Sequence, residues 1–410
     1  MRKLIIKIFI TLLFFFLFFY FFNYKNSSIN YIKSTLLKTY YNAIKDNRYI
    51  FNDYNVVFLP KTQFAELNIS TKKIKNNHSI IIKNEKNPKF IEIFNNKTMV
   101  ITSDGNFILI NNEELIQNKN TINNFDNIKS NIFGLNSLKI LGTLSDNDKI
   151  FISYVKKIND NCKIFAVAES LVRTESFYFK DIIKLDECSK GPIYGGRLKF
   201  YLHKNSKGIL ITTSDTRMQD DFNDLRPQNN DSLFNKILFY DFNNKKIIIF
   251  SKGHRNPAGL FVEKDLILAT EHGPRGGDEI NKIIFKRNYG WPISSYGEPY
   301  MKKTEKPFYN KSHKDFNFEE PIFSFIPSIG ISEIIKIPNN FIHQWQNNFL
   351  ISSLNDKSLY RTQFSDNYNK ILFIEKIYIG KKIRDLKYNE YINGIIAVSD
   401  QDNEIIIIKK

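Results

Sequence analysis

From residue 51 onward, short apolar runs alternate with turns rich in Asn, Asp, Gly and Lys. No helix longer than about two turns is indicated there. Several runs share one pattern, in which an apolar strand ends in Ser or Thr and a tight polar turn follows. The clearest examples lie at residues 99–110, 208–215, 266–271, 349–354 and 395–400. The Asp104-Gly105 pair in the first example predicts a hairpin with a type I′ turn. The pattern predicts an all-β fold.

The repetition favours a β-propeller, in which each example would be an inner strand of one four-stranded blade. Roughly 350 residues at about 50 per blade would give about six or seven blades. The predicted propeller domain spans residues 51–410. A β-sandwich or several small β domains is the alternative.

The first 23 residues have a different character. Arg2, Lys3 and Lys7 precede residues 8–22, which are apolar except for Thr11. With residues 4–6 the apolar run reaches membrane-spanning length, provided that the Lys7 side chain extends to the interface. No small-residue cleavage site follows. Residues 1–23 therefore predict an uncleaved signal anchor, that is, one N-terminal transmembrane helix before the propeller.

Most of the basic charge near the apolar run precedes it, which predicts a cytoplasmic N-terminus. We therefore expect a single-pass protein of the inner (cytoplasmic) membrane with its body in the periplasm. Residues 24–50 carry apolar side chains at roughly helical spacing, which predicts a helical linker between anchor and propeller.

The charge of the chain restricts its partners. The 410 residues carry a net charge of +17, but the lysines are scattered among Asn, Asp and Glu and form no long basic block. No motif combines aromatic and basic residues as nucleic-acid-binding modules do. We therefore expect no nucleic-acid partner.

The chain has two cysteines, Cys162 and Cys188, whose spacing fits no metal site. They flank two strand-like runs, 164–168 and 177–179, and a hairpin of these runs would bring the thiols together. A disulfide can form in an oxidising compartment, which the predicted periplasmic location provides. Two unrelated buried thiols are the alternative.

Residues 253–289 hold the densest set of chemically distinctive side chains. They include two of the six histidines, a Gly-Pro, a Gly-Gly and an Asp-Glu pair, around a predicted buried strand at 266–270. In a propeller, loops from every blade meet at one mouth of the central channel, where a ligand would bind. Residues 253–257 would supply a guanidinium and an amide, and backbone carbonyls of 271–279 would suit Ca²⁺. Satisfied tight turns with solvated Arg and Asp are the alternative.

Three motifs here, GHRNPAGL (253–260), TEHGPRGGDEIN (270–281) and NYGWP (288–292), resemble the signature of the glucose/sorbosone dehydrogenase family. Its members are soluble aldose sugar dehydrogenases that use pyrroloquinoline quinone (PQQ). GGRL (195–198), PSIG (327–330) and segments 345–354, 383–385 and 397–400 extend the resemblance, which covers the chain from about residue 128 to its end. The family fold is a six-bladed β-propeller, in agreement with the repeated pattern.

The resemblance implies a reaction. The quinone accepts a hydride from the anomeric carbon of the sugar while a base removes the hydroxyl proton, and Ca²⁺ polarises the quinone. Two matching residues would be catalytic: Arg255 would stabilise charge on the quinone, and His272 would lie beside it. The matching cofactor-binding residues are Asn256, Gly273, Pro274, Asp278, Lys382 and Arg384.

These cofactor-binding residues would have separate tasks. The backbone carbonyls of Gly273 and Pro274 would hold the Ca²⁺, and Asp278 would fix their loop. Lys382 and Arg384 would pair with carboxylates of the cofactor. Lys382 replaces an Arg of the family, so it keeps the charge but loses the bidentate geometry.

The sequence departs from the family on the substrate side. The family base is a His four residues before the Arg of the Gly-Arg-Leu motif, and that position is Ile193, which cannot take a proton. Pro192 stands where the family has Asp. Asn355 aligns with a cofactor-facing Lys and Ile132 with a Gln.

Three hypotheses follow. The first is a working quinone-dependent aldose dehydrogenase with a substitute base, for which His272, Asp278 and His203 are candidates. The second is a degenerate member that binds quinone, sugar or calcium without oxidation, and the third is an anchored propeller that binds another macromolecule. Loss of a general base costs about 10²- to 10⁴-fold in rate, so Ile193 argues only against efficient catalysis. The first hypothesis implies a sugar substrate and an electron acceptor whose identity the sequence leaves open.

Overall fold

The computed structural model describes residues 57–59, 67–74, 87–94, 96–132, 139–146, 148–172, 175–189, 191–215, 224–299, 309–310 and 312–410. The predicted anchor (1–23) and helical linker (24–50) lie outside these residues. Within them, no helix is both long and apolar enough to cross a membrane. They hold one short helix, α1 (Asn112–Ile116), and two 3₁₀ turns, Lys314–Phe316 and His343–Trp345, among many strands.

The strands in chain order are β1 (Val57–Leu59), β2 (Asn68–Ile74), β3 (Lys89–Phe94), β4 (Lys97–Thr102), β5 (Phe107–Asn111), β6 (Thr121–Ile122), β7 (Asp126–Ser130), β8 (Lys139–Ser145), β9 (Lys149–Asn159), β10 (Cys162–Leu171), β11 (Ser176–Phe177), β12 (Lys180–Lys184), β13 (Ile193–His203), β14 (Ser206–Asp215), β15 (Lys236–Asp241), β16 (Ile247–Lys252), β17 (Pro257–Glu263), β18 (Leu266–Glu271), β19 (Asp278–Lys282), β20 (Phe323–Phe325), β21 (Ile331–Lys336), β22 (Asn348–Ser353), β23 (Ser358–Phe364), β24 (Ile371–Tyr378), β25 (Ile383–Asn389), β26 (Gly394–Ser399) and β27 (Glu404–Lys409).

These strands form six sheets, each built on four antiparallel strands. From the innermost strand outward, blade 1 is β3, β4, β5 and β7; blade 2 is β8, β9, β10 and β12; blade 3 is β13 to β16; blade 4 is β17 to β20; blade 5 is β21 to β24; and blade 6 is β25, β26, β27 and β2. The short strands β11, β1 and β6 extend blades 1, 5 and 6 in parallel. The innermost strands of neighbouring blades contact one another in a closed ring. The predicted all-β, six-bladed propeller is confirmed.

Blade 6 combines strands from both ends of the described region. Its three inner strands come from the end of the chain, whereas the outer strand is β2, which pairs Asn68 with Lys409 and Lys73 with Glu404. The ring is therefore closed by hydrogen bonds between the first and the last blade-forming strands.

The repeated strands that end in Ser or Thr occupy one structural position. All five examples are the second strand of a blade: β4, β14, β18, β22 and β26. At this position a hydroxyl can reach the first strand of the next blade. Ser153 donates to the Gly196 carbonyl at 2.5 Å, Thr212 donates to the Pro257 carbonyl at 3.1 Å, and Thr270 donates to the Ser332 carbonyl. At Thr212 of β14 and Thr270 of β18 the pattern thus coincides with hydrogen bonds that join neighbouring blades, whereas Ser352 of β22 bonds within its own blade.

The hairpin predicted at Asp104-Gly105 joins β4 to β5, but its turn is not type I′. A type I′ turn requires positive φ at both central residues. Gly105 has a φ of 92°, but the φ of Asp104 is not positive. The loop spans residues 103–106, and the Asn106 amide donates to the Thr102 hydroxyl at 3.0 Å. These side-chain hydrogen bonds favour the wider turn.

Apolar side chains fill the interfaces between blades. One cluster joins blades 2 and 3 and contains Phe151, Ile211 and Leu238. Another joins blades 6 and 1 through Ile91 and Ile405. Burial of each such side chain contributes about 1.5–3 kcal/mol, so the ring is held together mainly at these interfaces.

Cys162 and Cys188 form a disulfide, with their Cα atoms 4.9 Å apart. The bond joins the start of β10 to the segment after β12, so the predicted pairing is confirmed. The predicted hairpin partner was wrong: β10 pairs with β12, whereas Phe177 lies in β11 and pairs with blade 1. Phe177 is fully buried against Phe107 of blade 1, which accounts for this placement.

Replacing both cysteines by serine is expected to destabilise the propeller by about 2–4 kcal/mol, because the unfolded chain regains the freedom of the closed loop. The bond closes a loop with a sequence separation of 26. Chemical denaturation of the double variant and the oxidised wild type measures the difference. Equal stability would show that the disulfide does not restrict the unfolded chain, and reduction of the wild type should reproduce the loss.

Candidate active site

The starts of the innermost strands meet at one end of the central channel. Residues near the starts of five of them line one cavity of about 80 Å³, which we call the mouth cavity: Pro88, Phe90, Lys139, Ile140, Leu141, Tyr194, Gly195, Arg197, Asn256, Ala258 and Arg384. The second strands run antiparallel to the first, so the loops that follow them reach the same face. The motif regions 253–257, 271–279 and 382–384 therefore share this face of the propeller.

The floor of the mouth is a buried ionic cluster. Arg197 of blade 3 contacts Glu333 of blade 5 and Asp385 of blade 6, each at 2.9 Å. It also donates to the carbonyls of Ala258 at 2.7 Å and Arg384 at 2.8 Å. Because a single guanidinium binds three other blades, it fixes the backbone on which Arg384 is placed.

Burial raises the pKa of the Glu333 carboxyl, and the attraction of Arg197 offsets this only in part. Burial acts in the same direction on Asp385, but there Arg197 and Lys387 outweigh it and the pKa of Asp385 is lowered. Asp385 also accepts a hydrogen bond from the Ile91 backbone N–H at 2.8 Å. The two carboxyls of the cluster therefore differ in acidity although they share one arginine.

The loop before β17 is held by a glutamate that the sequence analysis did not single out. One carboxylate oxygen of Glu271 accepts hydrogen bonds from the backbone N–H groups of Arg255 and Asn256. The other lies 3.0 Å from Nδ1 of His254, a fully buried ring that stacks on Tyr289. The only sequence signal for this role was the position of Glu271 and His254 inside the two motifs.

The Arg255 side chain lines a second, smaller cavity together with His272, Gly273 and Trp291, and it is not among the residues that line the mouth cavity. Its Nη1 donates to the His272 carbonyl at 3.0 Å, and the guanidinium carbon lies 5.3 Å from the centroid of the Trp291 ring. Its buried Nε has no hydrogen-bond partner among the residues that the structure describes. A buried donor without a partner is costly, so this nitrogen fits an acceptor supplied by a ligand.

Asp278 holds the loop between β18 and β19, as the resemblance implies. Its carboxylate accepts hydrogen bonds from the backbone N–H groups of Gly273 at 3.1 Å, Gly330 at 2.7 Å and Ile331 at 3.0 Å. Both oxygens are therefore engaged by backbone donors of blades 4 and 5. This engagement favours a structural role for Asp278 over that of a proton acceptor.

Gly273 lies where no side chain fits. A Cβ atom at this position would meet the Gly277 carbonyl oxygen at 2.2 Å and the Gly276 carbonyl oxygen at 2.4 Å. The loop 273–277 is therefore tight, with the Gly276 and Gly277 carbonyls packed against Gly273. Among the described residues, no group of three or more His, Cys, Asp or Glu side chains is arranged to bind a metal.

His272 lies beside the other predicted site residues. Its backbone N–H donates to the Asn256 carbonyl at 3.0 Å. Burial lowers the pKa of its ring; Asp278 opposes this shift, whereas Arg384 and Arg255 reinforce it. The ring is consequently neutral at neutral pH.

Arg384 lines the mouth cavity and forms an ion pair with Asp400, whose carboxylate lies 2.9 Å from its Nε. Lys382 precedes it on the same segment and its side chain is exposed. The structure thus brings Arg255, Asn256 and Arg384 to one face, with Lys382 at the rim.

Ile193 does not face the mouth cavity. It is buried in an apolar cluster with Leu141 and Leu198, and the next residue, Tyr194, lines the cavity instead. His203 is at the opposite end of β13, about 30 Å away at about 3.3 Å per residue. Its candidacy as a substitute base is therefore wrong, since the strand carries it to the other face.

Two further departures from the family are also located. Ile132 is buried in an apolar cluster between blades 1 and 2. Asn355 contacts the mouth region through its backbone, which donates to the Ile329 carbonyl at 3.0 Å next to Gly330. Lys139, which belongs to none of the motifs, lines the mouth cavity from the start of β8.

The mouth fits an anionic cofactor that carries carboxylates. Arg255 offers a buried donor without a partner among the described residues in the neighbouring cavity, and Lys382 and Arg384 add positive charge at the same face. Gly273 in the adjacent loop has no room for a side chain, so a cation there would meet backbone carbonyl oxygens, which suit Ca²⁺. The donors and the positive charge fit the carboxylates of the quinone cofactor.

Comparison with known proteins defines the class. The family model described as Glucose / Sorbosone dehydrogenase matches residues 85–408. The chain belongs to the glucose/sorbosone dehydrogenase family, as its motifs predict.

Among its relatives, the chain is 28% identical over 281 residues to an aldose sugar dehydrogenase of Escherichia coli, covering 62% of this chain and 71% of that protein. It is 32% identical over 171 residues to quinoprotein glucose dehydrogenase B of Acinetobacter calcoaceticus, covering 40% of this chain and 33% of that protein. A Synechocystis protein of uncharacterised function is 30% identical over 157 residues, covering 38% and 37%. The chain thus spans less than two thirds of two of these three curated relatives.

Solved structures share the fold. A glucose dehydrogenase superposes with a TM-score of 0.65 at 19% identity, covering 83% of this chain and 99% of that one. The PQQ-bound aldose sugar dehydrogenase of Streptomyces coelicolor superposes with a TM-score of 0.59 at 14% identity, covering 84% and 98%. At these identities the likeness concerns the fold alone.

Proposed function

We propose that the protein is a PQQ-dependent oxidoreductase that oxidises aldose sugars at the anomeric carbon. The observation that carries this proposal is Arg255, whose buried Nε lacks a partner among the described residues in a cavity that His272 and Gly273 also line. Family membership and the names of the relatives, an aldose sugar dehydrogenase and a quinoprotein glucose dehydrogenase, support the same chemistry.

PQQ, when bound, supplies a quinone that accepts a hydride from the sugar. Arg255 would donate to a quinone oxygen and stabilise the negative charge that develops there, with Asn256 beside it. Arg384 and Lys382 would bind cofactor carboxylates, and His272 would contribute a neutral ring next to the cofactor. Glu271 keeps Arg255 in position through its backbone contact, so the guanidinium needs little reorganisation during the reaction.

Calcium would bind at the backbone carbonyls of Gly273 and Pro274. Asp278 supports this role because its carboxylate holds the Gly273 backbone and ties the loop to blade 5. A hard cation there would polarise the quinone and add to the attraction for an anionic cofactor.

We also propose that residues 1–23 anchor the protein in the inner membrane and that the propeller lies in the periplasm. The apolar run at 8–22, preceded by basic residues, supports the anchor. The Cys162–Cys188 disulfide supports an oxidising compartment.

A second candidate function is a propeller that binds a sugar, a quinone or a partner protein without oxidising it. The observation in its favour is Ile193, which occupies the position of the family base and lies in an apolar cluster. Under this hypothesis the cofactor side of the mouth would be retained and turnover would be absent.

Adding PQQ and Ca²⁺ to the purified full-length protein in detergent is expected to raise its stability, because a ligand that binds only the folded state shifts the equilibrium. At a free concentration 100 times Kd the gain is about 2.7 kcal/mol. Thermal unfolding with and without a calcium chelator measures binding, and a panel of aldoses with an artificial electron acceptor measures turnover.

Each outcome of this experiment selects one hypothesis. A cofactor-dependent shift with turnover supports the dehydrogenase, and a shift without turnover supports the binding protein. The absence of any shift contradicts cofactor binding in both. A shift that survives complete calcium removal contradicts the calcium site alone.

A further inference from the structure

Lys139 lies in the mouth cavity, close to the segment in which Ile193 replaces the histidine base of the family. It begins β8 in blade 2, and its Nζ lies 4.8 Å from the centroid of the Tyr194 ring in blade 3. Both residues line the mouth cavity together with Asn256 and Arg384. Tyr194 directly follows Ile193, so the amine lies beside the segment that carries the family base.

The other groups that line this cavity are poor proton acceptors. No carboxylate or imidazole is among the described residues that line it. Arg197 and Arg384 are guanidiniums engaged with Asp385 and Asp400, and arginine does not lose its proton in proteins. Tyr194 is a phenol, whose neutral form is a weak base. Of the groups that line the cavity, Lys139 is therefore the one whose neutral form offers a strongly basic lone pair.

The surroundings of Lys139 favour that neutral form. Burial is the main cause that lowers the pKa of its amine, and the positive charge of Arg384 lowers it further. Asp400 acts in the opposite direction, and Lys163 adds a smaller lowering effect. Enzymes use lysine as a general base when burial and neighbouring cations bring its pKa toward neutrality.

We propose that Lys139 is the proton-accepting residue that replaces the missing histidine in sugar oxidation at the mouth cavity. This inference rests on the function proposed above. The sugar loses its C1–H bond, with the electron pair leaving as hydride to the bound quinone, and its O1–H bond, with the proton passing to the neutral Nζ of Lys139. C1 and O1 then form the carbonyl of a lactone, and Lys139 is left as an ammonium group.

The first test measures the protonation of the Lys139 amine and requires no enzyme turnover. Competitive labelling of the full-length, cofactor-free protein with trace acetic anhydride, followed by mass spectrometry, reports the fraction of each lysine that is neutral at each pH. We expect Lys139 to become reactive at lower pH than Lys163, whose charge acts on Lys139 but which is not among the residues that line the cavity. Labelling of Lys139 at the pH of an ordinary exposed lysine would overturn the proposal.

The second test separates proton transfer from binding. K139M and K139R are both expected to lower kcat by about 10²- to 10⁴-fold, because methionine has no basic nitrogen and arginine keeps its proton. Cofactor affinity, measured by thermal shift, should change little, and the rise of kcat with pH should be lost. K163M is the matched control and should keep the wild-type kcat and pH profile.

Two results would overturn the assignment. If K139M retains kcat but weakens cofactor binding while K139R restores it, Lys139 is a cation for the cofactor carboxylates. If the wild type binds cofactor without oxidising any aldose, no proton acceptor operates. If the proposed function itself is wrong, the cofactor-dependent thermal shift will be missing. The labelling experiment does not depend on that shift, because it uses the cofactor-free protein.

Discussion

Arg197→Met is expected to lower the free energy of unfolding by about 3–5 kcal/mol, the usual cost of removing one partner of a buried ion pair. The substitution leaves Glu333 and Asp385 buried without their common countercharge, since both contact Arg197 at 2.9 Å. It also removes the donor to the Arg384 carbonyl. Denaturant titration of the wild type and the variant at neutral pH measures the loss.

The deficit should shrink as pH falls, because a protonated carboxyl needs no countercharge. Lys336→Met is the matched control: it breaks an ion pair with Glu263 that is partly exposed, and such pairs contribute about 0–1 kcal/mol. If Arg197→Met were no more destabilising than this control, the cluster would not hold the inner ends of blades 3, 5 and 6 together.

Arg255→Met is expected to reduce kcat by about 10²- to 10³-fold, the usual cost of removing one preorganised donor at a site of developing charge. The effect depends on the position of the guanidinium as well as on its charge, because the His272 carbonyl and the Trp291 ring hold it in place. Steady-state kinetics with PQQ, Ca²⁺ and an aldose, together with cofactor affinity, check this expectation.

Arg255→Lys should recover only part of the loss, since lysine keeps the charge but not the planar set of donors. Arg287→Met serves as control, because Arg287 forms an exposed ion pair with Glu319 on the same blade. A normal kcat in Arg255→Met would refute the assignment of Arg255 to the quinone, whatever its effect on stability.

Several features could be predicted from the local sequence pattern because they depend mainly on residues that are close together in the chain. Apolar runs that alternate with turn residues give strands, and the Ser and Thr endings recur at the second strand of a blade. The Asp104-Gly105 pair fixed the place of a hairpin, whereas its turn type depended on the side-chain contact between Asn106 and Thr102. The disulfide partners were predictable, but the strand that pairs with β10 depended on the burial of Phe177 against blade 1.

The proximity of the motif residues to one another could be predicted from the sequence. Arg255, His272 and Asp278 lie on one blade within a short segment, so their sequence spacing keeps them near one another. The choice of a substitute base could not be made in this way. His203 follows Ile193 on the same strand, and only the strand length shows that it emerges on the far face.

The sequence by itself determined the strand pattern and the family, because both depend on short segments that can be interpreted without knowing their neighbours in space. Only the tertiary structure decided which residues form the buried ionic cluster beneath the mouth cavity and which residues line that cavity. Arg197 and Asp385 are 188 residues apart in the chain, and Lys139 and Tyr194 belong to different blades. Ring closure places them together, since a propeller brings the start of every first strand to one axis, and no local pattern records which of these strands become neighbours.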